Sequence, residues 1–338
     1  MRRGPLRGGG RLSRREATLM VAVTVVALLV ALVAFDPHGW IGRSAAQRSN
    51  PFLERELYLD VQGQGVRAAR VAAASGSPEA AVLERVAAVP TAIWLTPEAV
   101  GLHQVEERVV EVATRAAERD QVAVFVIYGI ADRDCTGGYS RGGLEPQQYR
   151  TWVERAARAM SERGTVVAIL EPDALAMMQD CADPQTRMDL LVHARKALDA
   201  ANVTTYVDAG HSAWIPATEM AERLRSVGVE KTRGFSVNVA AYQGEAETIA
   251  YAEDVVRALG DDSSYVMDTG RNGAGPGDQW CNPAGRALGQ RPGAGEGRLD
   301  ARLWVKPPGE GDGTCGGGPP AGRWWNARAV DLARSAGW

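Results

Sequence analysis

The stretch Val166-Val-Ala-Ile-Leu-Glu-Pro-Asp-Ala-Leu175 decides the fold. Five consecutive apolar residues, Val166 to Leu170, fit a short strand buried on both faces, as in a parallel sheet under helices. The run stops at Glu171-Pro172-Asp173. Pro172 has no N–H to give to a ladder, so the strand ends there, with a carboxylate just past its C-terminal edge. In parallel α/β proteins that edge carries the chemistry. Asp173 has an ordinary alternative, the cap of a helix starting at Ala174. The other strand ends choose between the two.

Working outward, helical stretches alternate with short apolar runs. The pattern predicts strands at Ala92–Trp94, Val122–Tyr128, Thr204–Val207, Gly234–Val237, Tyr265–Met267 and Arg302–Val305. It predicts helices at Ala80–Ala88, Glu106–Arg119, Pro146–Glu162, Gln185–Ala201, Pro216–Val227, Ala246–Leu259 and Asn326–Ala336. With 166–170 that makes seven strands in β-α order, a parallel sheet with helices outside. The Gly-rich stretch 270–297 stands where a helix would. Seven strands are one short of a regular barrel, so the fold class is α/β, read as an open or irregular barrel.

The chain has 338 residues, 45% hydrophobic and 23% charged, enough to bury a sizeable core. Its net charge of −3 hides an N-terminus crowded with Arg2, Arg3, Arg7, Arg11, Arg14 and Arg15. No basic stripe runs through the body, which argues against nucleic acid as partner. After the basic segment 1–16 comes an uncharged apolar run, 17–35, which reads as a signal-peptide core or a transmembrane anchor. Ser44-Ala45-Ala46 offers small residues for cleavage, while the length of the run suits a retained anchor with the N-terminus inside. Either way the protein is exported or held at the membrane with its body outside. Residues 36–49 read as a linker, and 50–338 as the globular domain.

Four cysteines suit that compartment: Cys135, Cys181, Cys281 and Cys315. They allow three pairings, of which the nearest-neighbour one ties strand-end loops together. No C-x-x-C spacing exists and the histidines are scattered, so no metal site is expected. The glycines at 273, 275 and 277 miss dinucleotide spacing, so no cofactor is expected. Gly210-His-Ser-Ala-Trp214 lacks the second glycine of a serine-hydrolase elbow.

Charged groups recur just after the strands: Asp134, Asp173, Asp208, Asp268, Lys306, Glu310 and Asp312. Carboxylates converging on one cleft shift one another's pKa and keep one of them protonated. Asp173 is the best candidate. Trp94, Trp214 and Trp280 fall on the same rim, whereas Trp152 and Trp304 are assigned to the core. Acidic groups beside flat aromatic faces suit a polymer of neutral sugars.

Val126-Ile-Tyr128 with Arg133-Asp-Cys135, Leu170-Glu-Pro-Asp173, Asp208-Ala-Gly-His211, Asp268-Thr-Gly-Arg-Asn-Gly273, Trp280-Cys-Asn-Pro283 and Val305-Lys-Pro-Pro-Gly-Glu-Gly-Asp312 form an ordered set of motifs. Taken together they resemble glycoside hydrolase family 6, the inverting cellulases. The resemblance runs in order from about Asn50 to the end. It implies a distorted seven-stranded parallel α/β barrel, hydrolysis of β-1,4-glucosidic bonds in cellulose or related β-glucans, and the disulfides Cys135–Cys181 and Cys281–Cys315. It implies Asp173 as general acid, with Asp134 supporting it and activating water, and Asp312 as the family's proposed base. Tyr128, Ser140, Asp208 and Arg271 would position water and sugar. Trp94, His211, Trp214, Asn238, Trp280, Lys306 and Glu310 would bind the glucan.

The chain departs from the family at Ala131, Ala241 and Gly270, where Pro, Asn and Ser are usual. The short segment between Cys281 and Cys315 favours an open cleft and endo cleavage. An exo-acting cellobiohydrolase and a catalytically lapsed, cell-surface glucan-binding protein are the rivals. No Ser/Thr/Pro-rich linker leads to a cellulose-binding module, so soluble or amorphous β-glucan is the expected substrate, and a monomer the expected state.

Overall fold

The computed structural model describes residues 43–161 and 163–338. The basic segment 1–16, the apolar run 17–35 and the first part of the linker lie outside the described residues. In chain order the body comprises helix α1 (Gln64–Ala74), α2 (Ala80–Ala87), strand β1 (Ile93–Leu95), α3 (Val105–Ala117) and β2 (Ala123–Ile127). There follow α4 (Pro146–Met160), β3 (Val166–Leu170), α5 (Pro184–Ala200), β4 (Thr204–Asp208), α6 (Ala217–Val227) and β5 (Gly234–Val237). The chain ends with α7 (Glu245–Leu259), β6 (Ser264–Asp268), β7 (Gly293–Ala294), β8 (Leu299–Leu303) and α8 (Asn326–Ser335).

The sheet order is β1-β2-β3-β4-β5-β6-β8-β7, parallel throughout except for the β7–β8 pair. The seven parallel strands are those the sequence predicts. The two-residue β7, inside the Gly-rich stretch, is an addition, and that stretch forms no helix. The sheet curls until Ala92, just before β1, donates its N–H to the carbonyl of Trp304, just after β8, at 3.0 Å.

Side chains alternate between two cores, because successive residues of a strand face opposite ways. From β2 and β3, Val124, Val126, Val167 and Ile169 point inside the curl, where they meet Tyr206, Val266, Ala301 and Leu303. Ala123, Phe125, Ile127, Ala168 and Leu170 point outward, beneath Val109, Val112, Trp152 and Leu190 of the helices. All five residues of β3 are buried, as its unbroken apolar run requires.

Helix α1 and the true start of β8 depart from the sequence reading. α1 opens from Gly63 without a side-chain cap, so no start signal marks it. β8 begins at Leu299 rather than Arg302, because its charged residues are neutralised in place. Asp300 takes a bidentate contact from Arg233 at 2.7 and 2.8 Å and the Tyr206 hydroxyl at 2.6 Å, and Arg302 pairs with Glu245 at 2.7 Å.

Residues 43–49, within the stretch read as linker, are packed onto the body. Buried Gln47 donates its amide to the Val203 carbonyl at 2.6 Å and accepts the Thr205 N–H at 3.0 Å, at the entry of β4. That entry lies at the opposite end of the strands from the carboxylate rim.

Candidate active site

The exits of the strands are where the backbone leaves ordinary territory. Asp134, Glu171, Asp173 and Asn238 have φ of 52°, 47°, 71° and 64°. Positive φ is rare outside glycine, and Asp and Asn tolerate it best. Each such residue turns the chain sharply after a buried strand.

These exits surround a cavity of about 1140 Å³, lined by Asp134, Asp173 and Asp312, by Tyr128, Ser140, His211, Lys306 and Glu310, and by Trp94, Trp214 and Trp280. Asp208, Asn238 and Arg271 stand behind its wall. Asp208 accepts the N–H of Asp173 at 2.9 Å, that of Gly210 at 3.0 Å and the Ser236 hydroxyl at 3.0 Å. Asn238 is fully buried, its amide donating to the carbonyls of Asp268 and Gln243 and accepting the Gln243 N–H. The direct sugar contact expected of Asn238 is therefore not available to it. Asp268, counted on the rim in sequence, instead accepts the N–H groups of Ala240, Gly270, Val305 and Lys306 at 2.9–3.2 Å, pinning three strand exits together.

Asp173 has the raised pKa that the strand-end argument anticipates. Burial pushes it well above the usual carboxylate range, and the negative charges of Asp208, Asp134 and Asp312 add to that against Lys306. Burial raises Asp208 too, although its three donors favour the ionised form. Asp173 is thus the member of the pair that keeps the proton. It caps no α-helix: turns follow it, and then a 3-10 helix at Met178–Asp180.

The exit of β2 forms a second group. Asp134 Oδ2 accepts the N–H and hydroxyl of Ser140 at 2.7 and 3.2 Å, and the Ser140 hydroxyl lies 3.4 Å from that of Tyr128. Arg133, buried beneath them, donates to the carbonyls of Ser140 and Tyr128, both at 2.8 Å, and lies over the Tyr128 ring. Cys135–Cys181 then ties this loop to the one that carries Asp173.

Asp312 is held differently. Its oxygens accept from Arg271 Nη1 at 2.7 Å, the Tyr242 hydroxyl at 2.8 Å and the Asn282 N–H at 3.0 Å. Burial pushes its pKa up, but Arg271 and Lys306 pull harder and leave it below the usual range. It is an ionised carboxylate with few lone pairs to spare. Asn282 is the neighbour of Cys281, whose bridge to Cys315 fixes the loop around Asp312.

Lys306 Nζ sits 5.4 Å from the centroid of the Trp94 ring, and the Trp94 indole donates to the Val305 carbonyl at 2.8 Å. Burial raises Glu310 to about 7, with the amide of Gln64 donating to it at 3.0 Å. On the opposite side His211 stacks near Trp214, and burial lowers its pKa to about 4, so the ring is neutral. Trp280 is 58% exposed and meets Tyr139 edge-on across the mouth.

Tyr242, Arg133 and Glu171 escape the sequence reading. Arg133 and Glu171 sit inside quoted motifs, so their position was visible and their partners were not. Tyr242 carried no signal beyond its place after β5.

With this geometry in hand, the comparisons with known proteins are specific. The family model described as Glycosyl hydrolases family 6 matches residues 52–336. Endoglucanase A of Cellulomonas fimi is 42% identical over 285 residues, covering 83% of this chain and 62% of that protein, so the chain spans under two thirds of that relative. A 1,4-β-D-glucan cellobiohydrolase C of Emericella nidulans is 30% identical over 375 residues, covering 87% of this chain and 80% of that one. Among solved structures, the endoglucanase Cel6 of Mycobacterium tuberculosis, in complex with methyl-cellobiosyl-4-deoxy-4-thio-β-D-cellobioside, superposes with a TM-score of 0.80 at 40% identity. That alignment covers 86% of this chain and 100% of the other.

Proposed function

The chain belongs to glycoside hydrolase family 6, and from that membership and the site just described we propose that it hydrolyses β-1,4-glucosidic bonds within glucan chains, inverting the anomeric carbon. The observation that carries the proposal is Asp173: a half-buried carboxyl, its pKa raised well above the usual range by burial and by Asp208 and Asp134, facing a cavity shared with Asp134, Asp312 and tryptophan faces. Inverting hydrolysis needs an acid on one side of the bond and a more distant base with room for water.

In the proposed reaction the Asp173 hydroxyl gives its proton to the leaving glycosidic oxygen. Water attacks the anomeric carbon from the opposite face as the bond to that oxygen breaks. The water's proton passes through the Ser140 hydroxyl to Asp134. Asp134 suits this better than Asp312, whose lone pairs are already committed to Arg271, Tyr242 and Asn282. Asp312 then serves as a fixed negative charge that balances Lys306 and favours the developing oxocarbenium ion.

Trp94 and Trp280 supply stacking faces, and Lys306 and Glu310 supply polar partners for hydroxyls. Trp214 and neutral His211 serve the leaving-group side. Asp208, Asn238 and Arg271 act from behind the wall, by placing Asp173, the turn after β5 and Asp312.

Internal cleavage is supported by the short span between Cys281 and Cys315, 34 residues apart, and by the higher identity to an endoglucanase than to a cellobiohydrolase. A body outside the cytoplasm is supported by the basic and apolar N-terminal sequence and by two disulfides.

The test follows viscosity and reducing ends together on carboxymethylcellulose, with Asp173→Ala in parallel. A fast viscosity drop that the variant loses by about 100-fold or more supports the reading. Reducing ends without viscosity loss would make the enzyme exo-acting. Binding without turnover would make it a glucan-binding protein.

A further inference from the structure

Glu171 is the first residue past β3 and stands two residues before the acid. It is 1% exposed and its φ is positive. It is tied into β2 at both ends of the residue. Its N–H donates to the Ile127 carbonyl at 2.9 Å. Its carboxylate accepts the Gly129 N–H at 2.9 and 3.2 Å and the Ile130 N–H at 3.2 Å. Those two N–H groups belong to the turn that carries the chain from Tyr128 towards Asp134. The Tyr128 carbonyl, next to the first of them, accepts from Arg133, which also holds the Ser140 carbonyl. A carboxylate rooted in the acid's loop therefore grips the loop that holds the water-side groups. It does not line the cavity.

Resting on the hydrolytic reading above, we infer that Glu171 is a positioning residue for the water side of the site: through Gly129 and Ile130 it fixes where Tyr128, Arg133 and Ser140 stand relative to Asp173. The carboxylate is suited to this because it accepts from both N–H groups at once. Glutamine must turn an amide N–H towards one of them, and aspartate is one methylene too short to reach either. Burial raises the pKa of Glu171 to about 7, while the Gly129 and Ile130 N–H groups, the Tyr149 hydroxyl and Arg133 all favour its ionised form.

The test uses the full chain with Glu171→Gln and Glu171→Asp. Both variants should lose kcat by about 100-fold, the scale of an ångström-sized misplacement, with KM within about threefold of wild type. The discriminating substrate is 2,4-dinitrophenyl β-cellobioside, whose leaving group needs no proton. Asp173→Ala should recover most of its rate on it, whereas both Glu171 variants should stay slow, because their fault lies with the water.

Recovery of the Glu171 variants on that substrate would overturn the inference by placing the fault at the acid. So would a kcat within threefold of wild type. Loss of cellotetraose binding in both variants would overturn it too, by making Glu171 a support of the fold alone. Wild type inactive on both substrates would instead overturn the hydrolytic reading.

Discussion

Replacing Arg271 by methionine would test how the site holds its permanent negative charge. Arg271 Nη1 lies 2.7 Å from Asp312 Oδ1, and the two side chains are 1% and 6% exposed. At that separation and an effective dielectric near 20, the attraction is about 6 kcal/mol. Part of it offsets the cost of taking both ions out of water. Breaking such a pair from one side leaves a buried charge alone, and about 3–5 kcal/mol of stability is expected to go.

The loss should depend on pH in a definite direction. In the wild type the pKa of Asp312 is depressed, since Arg271 and Lys306 outweigh burial. That stability is present above the unfolded carboxylate value of about 3.9 and is lost as pH falls through the folded one. In Arg271→Met burial acts with less opposition, and the same carboxylate favours its proton. The gap between wild type and variant should therefore be widest at pH 7 and shrink towards pH 3. Urea unfolding followed by circular dichroism at several pH values measures it. The double variant Arg271→Met/Asp312→Asn should regain most of the loss. A gap below about 1 kcal/mol at pH 7, or one indifferent to pH, would refute the reasoning.

Asp173, the proposed acid, makes the opposite prediction. Asp173 has a raised pKa, so between about 3.9 and its folded value the native state holds the extra proton, and wild-type stability falls as pH rises. Asp173→Asn should match wild type near pH 3 and melt higher at pH 8; equal melting at pH 8 would contradict the assignment. Trp94→Ala should raise KM for cellotetraose by about tenfold, equivalent to about 1.4 kcal/mol of stacking, while Trp94→Phe keeps most of the affinity. An unchanged KM in Trp94→Ala would remove that ring from the binding surface.

The strands were legible because their apolar runs are unbroken and end in polar clusters. Val166–Leu170 matches to the residue, since nothing but burial on both faces suits five such side chains in a row. β8 was less legible because Asp300 and Arg302 look like surface residues until Arg233, Tyr206 and Glu245 are seen beside them. Asp173 could be singled out from sequence as the proposed acid, because a cap alone does not explain charged groups recurring after so many strands. Asn238 could not be placed, because whether a strand-end amide faces the cavity or the backbone depends on the turn. Gln47 was read as linker because a single buried glutamine leaves no periodic trace. Its two contacts are to residues more than 150 positions away.

The left-handed turns at Asp134, Glu171, Asp173 and Asn238 set a limit on how this enzyme can be hardened against heat. Each holds a side chain where an L-residue is least comfortable, and each would relax if replaced by glycine. A selection for thermal survival alone would be drawn to those positions and would erase the proposed acid and water-side carboxylate along with the groups that hold them in place. Gains compatible with turnover lie on the outer faces of the helices, far from the rim. The two ends of the strands are thus open to different kinds of change: one to drift, the other only to replacement by a residue that can both bend the chain and present the same polar group.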